Sequence, residues 1–426
     1  MPTTTGSNLS ASDSVSPPLA RVRRNTLFLM VSNVGGAGLS FVLAALIGRS
    51  LGDYGLGVYA VCMAWVYPSS MLVEFGMGTL MTRDLATNAT HADEVLAAVS
   101  LERLIAGGLA MLALFIAAPL LSDDPQVITG LRISTPMIML LPFYSGYTAV
   151  FRAREAMGSI PLLNIGMLAA QVIFTVAALL LNTGIYGVLI ANVASSALQV
   201  GAAGIIYRAR FADRQTMIVW GEAVKQILPL ARQAWHFALA ALFVALQVRL
   251  SAILLDTLAT TQSAGTFAAA NRFLEAAKMT PNAFFGAVFP ALAGLAADRV
   301  NLRRTFTRVM MGLALFGVGA GIAFTLAADL LIRLVYGENF ADARLVLVLL
   351  GWSLMFNLLR GGRTLYWYAV GREGMVNAVN GVVIVLQVGV SVWAIPAYGA
   401  AGAAAVQIIV EAAALIALWI PKGRST

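Results

Sequence analysis

Long apolar segments follow one another along almost the entire chain, and they restrict it to one class of structure. Each is roughly 20 residues long, the length that an α-helix needs to cross a bilayer. Of the 426 residues, 59% are hydrophobic and 11% are charged, whereas soluble proteins have about 45–50% apolar and about 25% charged residues. These features predict an all-α, polytopic membrane protein with no large domain outside the membrane.

Scanning the chain for such segments predicts twelve transmembrane helices. They cover residues 26–47, 58–80, 95–120, 127–150, 161–181, 185–207, 227–255, 266–293, 305–331, 345–370, 375–395 and 400–420. Twelve spans divide into two lobes of six. The predicted organisation is a disordered cytoplasmic tail at 1–20, an N-terminal six-helix lobe at 21–208, a cytoplasmic linker at 209–224, a C-terminal six-helix lobe at 225–421 and a second cytoplasmic tail at 422–426.

Basic residues are distributed unequally between the two predicted sides of the membrane. The loops of one side hold most of the lysines and arginines that lie outside the spans, whereas the other side holds Arg49, Arg333 and Arg344. Because basic loops stay on the cytoplasmic side, we expect both termini to be cytoplasmic. The net charge of +8 is then a topology signal, and it indicates anionic lipid head groups, not nucleic acid, as the surface partner.

The chain carries few residues that bind metals or cofactors. Cys62 is the single cysteine, so no disulfide can form within the chain. His91 and His236 are the two histidines, and neither has a neighbour at metal-ligand spacing. No GxxxxGK[ST] motif is present for ATP hydrolysis. We therefore predict neither a metal site nor a cofactor.

The eighth predicted span carries charges at a depth where charges are costly. On a helix, Asn271, Glu275, Lys278 and Asn282 fall within an arc of roughly 60°, with Arg272 beside it. A charge near the bilayer centre costs about 2.5–3.5 kcal/mol even on a lenient scale, so such a stripe is expected to face a cavity. The structural alternative is that Glu275 only neutralises Arg272 and Lys278, each three residues away.

Two short patterns occur once in each half of the chain. Residues 57–60 match residues 265–268, and residues 158–164 match residues 371–377 in the spacing of glycine and asparagine. Since each predicted half has an even number of spans, a repeat would relate the halves by a pseudo-twofold axis along the membrane normal, with a substrate between them. The alternative is that membrane helices share such spacing for packing alone.

The alignment of residues 57–60 with residues 265–268 gives the charged stripe of the eighth span a counterpart in the first half of the chain. Carried forward without gaps, it aligns three residues of the second span with Glu275, Lys278 and Asn282, and these three are Tyr67, Ser70 and Glu74. They also share one helical face. The repeat therefore predicts a polar surface on each half.

Further polar residues lie inside four other spans. Arg249 shares a face of small residues with Asp256, and Arg360 lies on a polar face of the tenth span. Asn33 is in the first span and Glu411 is in the twelfth. Groups of this kind either bond between helices or line a cavity, and both interpretations stay open.

Several short motifs, in order along the chain, resemble those of one family. Residues 46–59, 75–78 with 83–86, 271–275 and 336–343 are similar to motifs of bacterial polysaccharide-unit flippases of the multidrug/oligosaccharidyl-lipid/polysaccharide exporter (MOP) superfamily. The resemblance extends over nearly the whole chain. It implies a transporter of the bacterial inner membrane that alternates access and flips an undecaprenyl-pyrophosphate-linked glycan.

The resemblance also implies roles for the intramembrane residues. The candidates for substrate binding are Arg249, Arg272, Lys278, Asn271, Asn282, Asn33 and Arg360, the first three as ligands of the pyrophosphate. The candidates for coupling or orienting are Glu74, Glu275, Asp256 and Glu411. The first span lacks the cavity arginines of the lipid II branch, and that branch's two additional C-terminal helices are missing, which argues against a peptidoglycan precursor.

The sequence thus predicts a flippase for lipopolysaccharide or exopolysaccharide assembly and not an enzyme. Its expected partners are the lipid-linked glycan, anionic lipids, and a glycan polymerase with chain-length proteins. One alternative is a cation-coupled multidrug antiporter using Glu74, Glu275 and Glu411, against which the excess of intramembrane Arg and Lys argues. A second alternative, a glycan polymerase, would be expected to have a sizeable periplasmic loop, and this chain has none of that size. A third alternative, a non-transporting assembly scaffold, is compatible with the sequence.

Overall fold

The computed structural model describes residues 18–78, 81–82, 92–154, 156, 158–211, 242, 245–295 and 298–419. Within them the regular structure is helical. The main helices are α1 (Pro18–Glu74), α2 (Ala92–Leu121), α3 (Pro125–Ser134), α4 (Met137–Ala153), α5 (Ser159–Leu180), α6 (Gly184–Arg210), α7 (245–258), α8 (Thr261–Gly294), α9 (Arg299–Tyr336), α10 (Ala343–Ala369) and α11 (Glu373–Trp419). The predicted all-α membrane fold is confirmed.

Two of these helices are each two membrane spans joined end to end. α1 has 57 residues and breaks at Gly52, whose φ is 72°, and α11 has 47 residues and breaks at Gly399, whose φ is 54°. Glycine adopts positive φ without the steric penalty of a Cβ atom, so one residue separates the two spans. The loop that we predicted between spans 26–47 and 58–80 is therefore helical on both sides of Gly52.

The fourth predicted span, at 127–150, is interrupted as well. α3 ends at Ser134 and α4 begins at Met137, because Pro136 has no N–H to donate to the turn before it. With α3 and α4 taken as one span and with α1 and α11 taken as two spans each, the described helices make the twelve predicted spans.

The predicted tails and linker lie mainly outside the described residues. α1 already begins at Pro18, two residues before the predicted end of the tail at 1–20. α6 ends at Arg210, close to the predicted start of the linker at 209–224. The lobe boundaries stay a prediction.

The two lobes pack against each other at one end of the molecule. A single cluster of buried side chains there contains Ile47 and Val58 of α1 together with Phe267 and Leu274 of α8. We call this end, which carries the turns at 52, 122–124, 259–260 and 337–342, the convergent end.

Toward the opposite end, the buried clusters are confined to single lobes. Met77, Val99 and Phe151 belong to a cluster of the N-terminal lobe. Leu292 and Phe306 belong to a separate cluster of the C-terminal lobe. Among the described residues, the lobes are thus joined at the convergent end and have separate buried clusters toward the other. We call the region between the lobes there the cleft.

Candidate functional site

α1 and α8 cross at the two glycines that the repeat aligns. A Cβ atom on Gly57 would overlap the carbonyl oxygen of Thr261, and one on Gly265 would overlap the carbonyl oxygen of Asp53. Asp53 and Thr261 are equivalent in the same register, since each lies four residues before its glycine. The contact is therefore reciprocal, as a twofold axis requires. It confirms the predicted register of residues 57–60 on 265–268.

Polar side chains join the two lobes at the convergent end. Gln262 Nε2 donates to Asp53 Oδ2 over 2.7 Å, and Thr261 Oγ1 donates to Asp124 Oδ2 over 2.9 Å. The Tyr54 hydroxyl donates to Asp124 as well, over 2.8 Å. We call these five residues the clasp. Their hydrogen bonds connect α1, the start of α3 and the start of α8.

Asp124 is both the centre of the clasp and the N-cap of α3. Its Oδ1 accepts a hydrogen bond of 2.8 Å from the backbone N–H of Gln126. Burial alone raises the pKa of Asp124, but the hydrogen bonds from Tyr54, Gln126 and Thr261 outweigh it, and the pKa lies below its ordinary value. The carboxylate is thus ionised at neutral pH and acts only as an acceptor.

Asp256, a predicted coupling residue, lies beside the clasp. Its Oδ1 is 2.7 Å from Thr261 Oγ1, and its Oδ2 is buried without a hydrogen-bond partner among the residues that the structure describes. A hydroxyl donates one proton, so Thr261 can serve Asp124 or Asp256 at any one time.

Arg272 lies between the lobes, closer to the middle of the membrane. Its Nη1 is 2.8 Å from Glu275 Oε2 and 3.2 Å from Ser40 Oγ of α1. Asn271 Nδ2 donates to the other oxygen of Glu275 over 3.2 Å. The side chain of Arg272 is 24% exposed and that of Glu275 is 41% exposed. The structural alternative, in which Glu275 neutralises Arg272, therefore holds in this conformation. The Glu275 side chain is also partly exposed.

Arg249 makes a second contact between the lobes. Its Cζ lies 4.7 Å from the ring centroid of Tyr67, within the range of a cation–π interaction. Tyr67 was predicted to lie on a polar face, and Arg249 on a face of small residues. Ser70 instead donates to the carbonyl of Tyr67 within its own helix.

Glu74 faces the interior of the N-terminal lobe. Ser145 Oγ donates to Glu74 Oε1 through a short hydrogen bond, and Arg103 of α2 interacts with the same carboxylate electrostatically. Arg103 is 1% exposed, and its Nε and Nη2 have no hydrogen-bond partner within the described ranges. We did not select Arg103 from the sequence, although a basic residue inside an apolar span was the available signal.

A polar cavity of about 370 Å³ lies in the C-terminal lobe, between α7, α8, α10 and α11. Two predicted residues line it as an ion pair, since Arg360 Nε is 2.8 Å from Glu411 Oε2 and the side chains are 17% and 12% exposed. Asn357 Nδ2 donates to the other oxygen of Glu411 over 3.0 Å. The two charges cancel in this conformation.

Lys278 differs from the other cations of the cleft. It interacts electrostatically with Glu411 and Glu275, but it has no ion pair within 4 Å in the part of the chain that the structure describes. Its half-buried side chain is thus attracted by Glu275 in the cleft and by Glu411 in the 370 Å³ cavity. Asn282 is exposed, and the side chain of Asn33 lies outside the described part.

Among the described residues, the charged side chains of the cleft and of the 370 Å³ cavity sum to a net positive charge. The cations are Arg249, Arg272, Lys278 and Arg360, and the anions are Glu275 and Glu411. Four positive and two negative groups sum to +2. Such a site suits an anion better than a cation.

Solved structures with the same fold are transporters. The lipid II flippase MurJ in an inward closed conformation has a TM-score of 0.75 and 14% identity, over 92% of this chain and 86% of that chain. An inward-facing multidrug resistance MATE family transporter of the MOP superfamily has a TM-score of 0.75 and 14% identity, over 93% and 96%. A point mutant of the Vibrio cholerae MATE transporter VcmN has a TM-score of 0.62 and 16% identity, over 94% and 95%.

These matches define the class of the protein, a two-lobed, twelve-helix membrane protein with the fold of MOP-superfamily transporters. The family model described as "Polysaccharide biosynthesis protein" matches residues 22–296, more than half of the chain, and the protein belongs to this family. A comparison with curated protein sequences found no match. The family resemblance seen in the sequence is confirmed.

Proposed function

We propose that this protein is a flippase that moves undecaprenyl-pyrophosphate-linked oligosaccharide units from the cytoplasmic to the periplasmic leaflet for surface polysaccharide assembly. The observation that carries the proposal is the net positive charge between the lobes, with Lys278 free of an ion pair among the described residues. A pyrophosphate is the anionic part of such a substrate, and membership of a polysaccharide biosynthesis family supports a glycan.

The cleft separates the two parts of this substrate by polarity. The glycan and pyrophosphate need a polar path, whereas the isoprenoid chain remains in hydrocarbon beside the protein. Arg249 and Arg272 can donate bidentate hydrogen bonds to phosphate oxygens, and Lys278 acts as a point charge. We assign Asn271, Asn282, Asn33 and Arg360 to binding of the glycan.

The unequal distribution of basic residues supports a periplasmic position for the convergent end. The conformation is then open toward the cytoplasm, and the clasp closes the periplasmic exit. We propose that lobes at 21–208 and 225–421 rock about the crossing of Gly57 and Gly265, alternately opening each side. Both termini are then cytoplasmic, in a bacterial inner membrane.

Glu275 in the cleft and Glu411 in the 370 Å³ cavity fit the role of internal counter-ions. They hold Arg272 and Arg360 at 2.8 Å, and an incoming pyrophosphate can take their place. Because the same carboxylates re-form the pairs after release, substrate exit does not leave unpaired arginines near the membrane centre.

A cation-coupled antiporter is the second candidate. Glu74, which accepts from Ser145 and lies near Arg103, is a carboxylate that a proton or sodium ion could neutralise. The net charge of +2 disfavours a cationic drug as cargo. Drug susceptibility of a host that overproduces the protein separates the two, because only the antiporter would raise resistance.

The test is a flipping assay with protein in vesicles that contain a fluorescent undecaprenyl-pyrophosphate oligosaccharide. We expect Lys278→Gln to slow flipping by about tenfold or more, since a hydrogen bond to a charged group contributes about 1.5–3 kcal/mol. Arg308→Gln is the matched control, because Arg308 is an exposed cation of α9. Full activity in the triple variant R249Q/R272Q/K278Q would refute the assignment.

A further inference from the structure

A second cavity, of about 850 Å³, lies in the C-terminal lobe and shares no lining residue with the 370 Å³ cavity. Its walls are the first turns of α9, the last turns of α10 and the end of α11. Three arginines, Arg303, Arg363 and Arg372, line it, and no acidic residue does among the side chains that the structure describes. The described lining residues therefore carry a net positive charge.

Four aromatic rings surround the guanidinium group of Arg363. Its Cζ lies 4.6 Å from the ring centroid of Trp419, 4.8 Å from that of Trp367 and 4.9 Å from that of Tyr366, with Phe306 at 5.6 Å. Rings at these distances hold a cation in place by cation–π attraction. The rings supply no acceptor for its N–H groups in this arrangement.

The hydrogen bonds of Arg363 leave one edge of its guanidinium group available. Its Nε donates to the carbonyl of Leu418 over 3.2 Å, and that carbonyl also accepts from Trp367 Nε1 over 3.1 Å. Neither Nη atom bonds to another residue of the described ranges. Two N–H donors side by side match the spacing of two phosphate oxygens.

The depth of the cavity corresponds to the head-group region. Arg363 lies six residues before the end of α10, which is about 9 Å along the helix axis at 1.5 Å per residue. Arg303 and Arg372 are exposed at the helix ends, and Trp419 is 51% exposed. Tryptophan, tyrosine and arginine at such a level are typical of the membrane–water interface.

We infer that this cavity binds the phosphate group of an anionic membrane lipid, with Arg363 as the half-buried ligand and with Arg303 and Arg372 at its mouth. A phosphate monoester, a phosphodiester and a free phosphate share this chemistry. The aromatic walls and the interfacial depth favour a lipid over a free ion, because they would contact its glycerol and first acyl carbons. The site is distinct from the cleft and does not depend on the proposed cargo.

The test is native mass spectrometry of the full chain purified in micelles that contain equal amounts of phosphatidylglycerol and phosphatidylcholine. We expect the wild type to retain phosphatidylglycerol preferentially. Arg363→Gln and the double variant R303Q/R372Q should each lower its retention by about tenfold, because each loses charge-assisted hydrogen bonds of about 1.5–3 kcal/mol. Arg304→Gln is the matched control, since Arg304 is exposed on the same turn of α9 and does not line the cavity.

Further measurements distinguish a lipid phosphate from free phosphate and control for misfolding of the variants. Arg363→Lys keeps a cation among the rings but loses the paired donors, so reduced retention in this folded variant supports the site. Displacement of phosphatidylglycerol by inorganic phosphate would show that the cavity binds a free anion and would refute the assignment to a lipid. Equal retention in Arg363→Gln and Arg304→Gln would overturn the site itself. Lys278→Gln should leave retention unchanged even if it abolishes flipping.

Discussion

Among the described residues, the intramembrane cations divide into those with an ion pair within 4 Å and those without one. Arg272 and Arg360 each have a glutamate at 2.8 Å, so their charges are balanced where water is scarce. Lys278 has no such ion pair among the described residues, and Arg103 is buried with two nitrogens that lack a hydrogen-bond partner there. The second group has spare capacity to bind an anion or to stabilise an ionised carboxylate.

Breaking one ion pair tests this balance. We expect Arg360→Gln to lower stability strongly, since it leaves Glu411, 12% exposed, without its cation, and removing one partner of a buried pair typically costs about 3–5 kcal/mol. The double variant R360Q/E411Q should recover most of the loss. Thermal unfolding in detergent measures both, and equal losses in the single and the double variants would contradict the expectation.

At the scale of single helices, a few glycines and one capping aspartate determine how the helices join and pack. Gly52 and Gly399 allow two spans to join without a loop, and the crossing of Gly57 with Gly265 allows α1 and α8 to approach closely. Asp124 caps α3 and at the same time accepts from Tyr54 and Thr261. The start of α3 is therefore tied to both lobes.

Asp124→Ala should loosen α3 from α1. It removes an N-cap worth about 0.5–2 kcal/mol and the acceptor of Tyr54. Cys62, the single cysteine, is buried with its Sγ 3.8 Å from the carbonyl oxygen of Val127 in α3, so we expect a maleimide to label it faster in this variant. Asp123→Ala, at the exposed neighbouring position, is the control. Unchanged labelling in Asp124→Ala would exclude Asp124 as the anchor.

The same residue sets the sign of a pH dependence. The pKa of Asp124 is lowered in the folded protein, so its contribution is present above the ordinary aspartate pKa of about 3.9 and is lost as the pH falls through the lowered value. The difference in Tm between wild type and Asp124→Ala should thus be constant near neutral pH and shrink below about pH 4. A difference that grows on acidification would contradict this.

The whole molecule has its lobes joined at one end and independent at the other. The clasp and the glycine crossing lie at the joined end, and the buried clusters of Met77 and of Leu292 lie at the other. Lobes that each keep their own packed core can move as rigid bodies about the contacts that join them. For the proposed flippase, the contact at the convergent end would decide which side is open.

Locking that contact should stop transport. In a Cys62→Ala background, a short bifunctional thiol reagent should cross-link the variant D53C/Q262C, because the two side chains are in hydrogen-bond contact at 2.7 Å. We expect cross-linking to abolish flipping and the single-cysteine variants to remain active after the same treatment. Full activity of the cross-linked protein would show that the convergent end need not open.

Several features followed from the sequence alone because they depend on local patterns. Hydropathy over about 20 residues located the spans, and the spacing of Gly57 and Gly265 identified a register that the structure confirms. Helical periodicity also assigned Asn271 and Glu275 to one face of α8, and Asn271 donates to Glu275 there, whereas a substrate-binding role for this face stays a prediction. Periodicity, however, does not tell which partner that face meets.

The tertiary structure decided which charges pair and which stay available. Arg360 and Glu411 are 51 residues apart in sequence and meet only because α10 packs against α11, and Asp256, on the same helix as Arg249, lies beside the clasp. The aromatic cage of Arg363 likewise draws on three helices. Composition and periodicity determine how far each segment extends and which face is polar, but the strength of a charge interaction depends on distance and solvent exposure, which only the packed helices define.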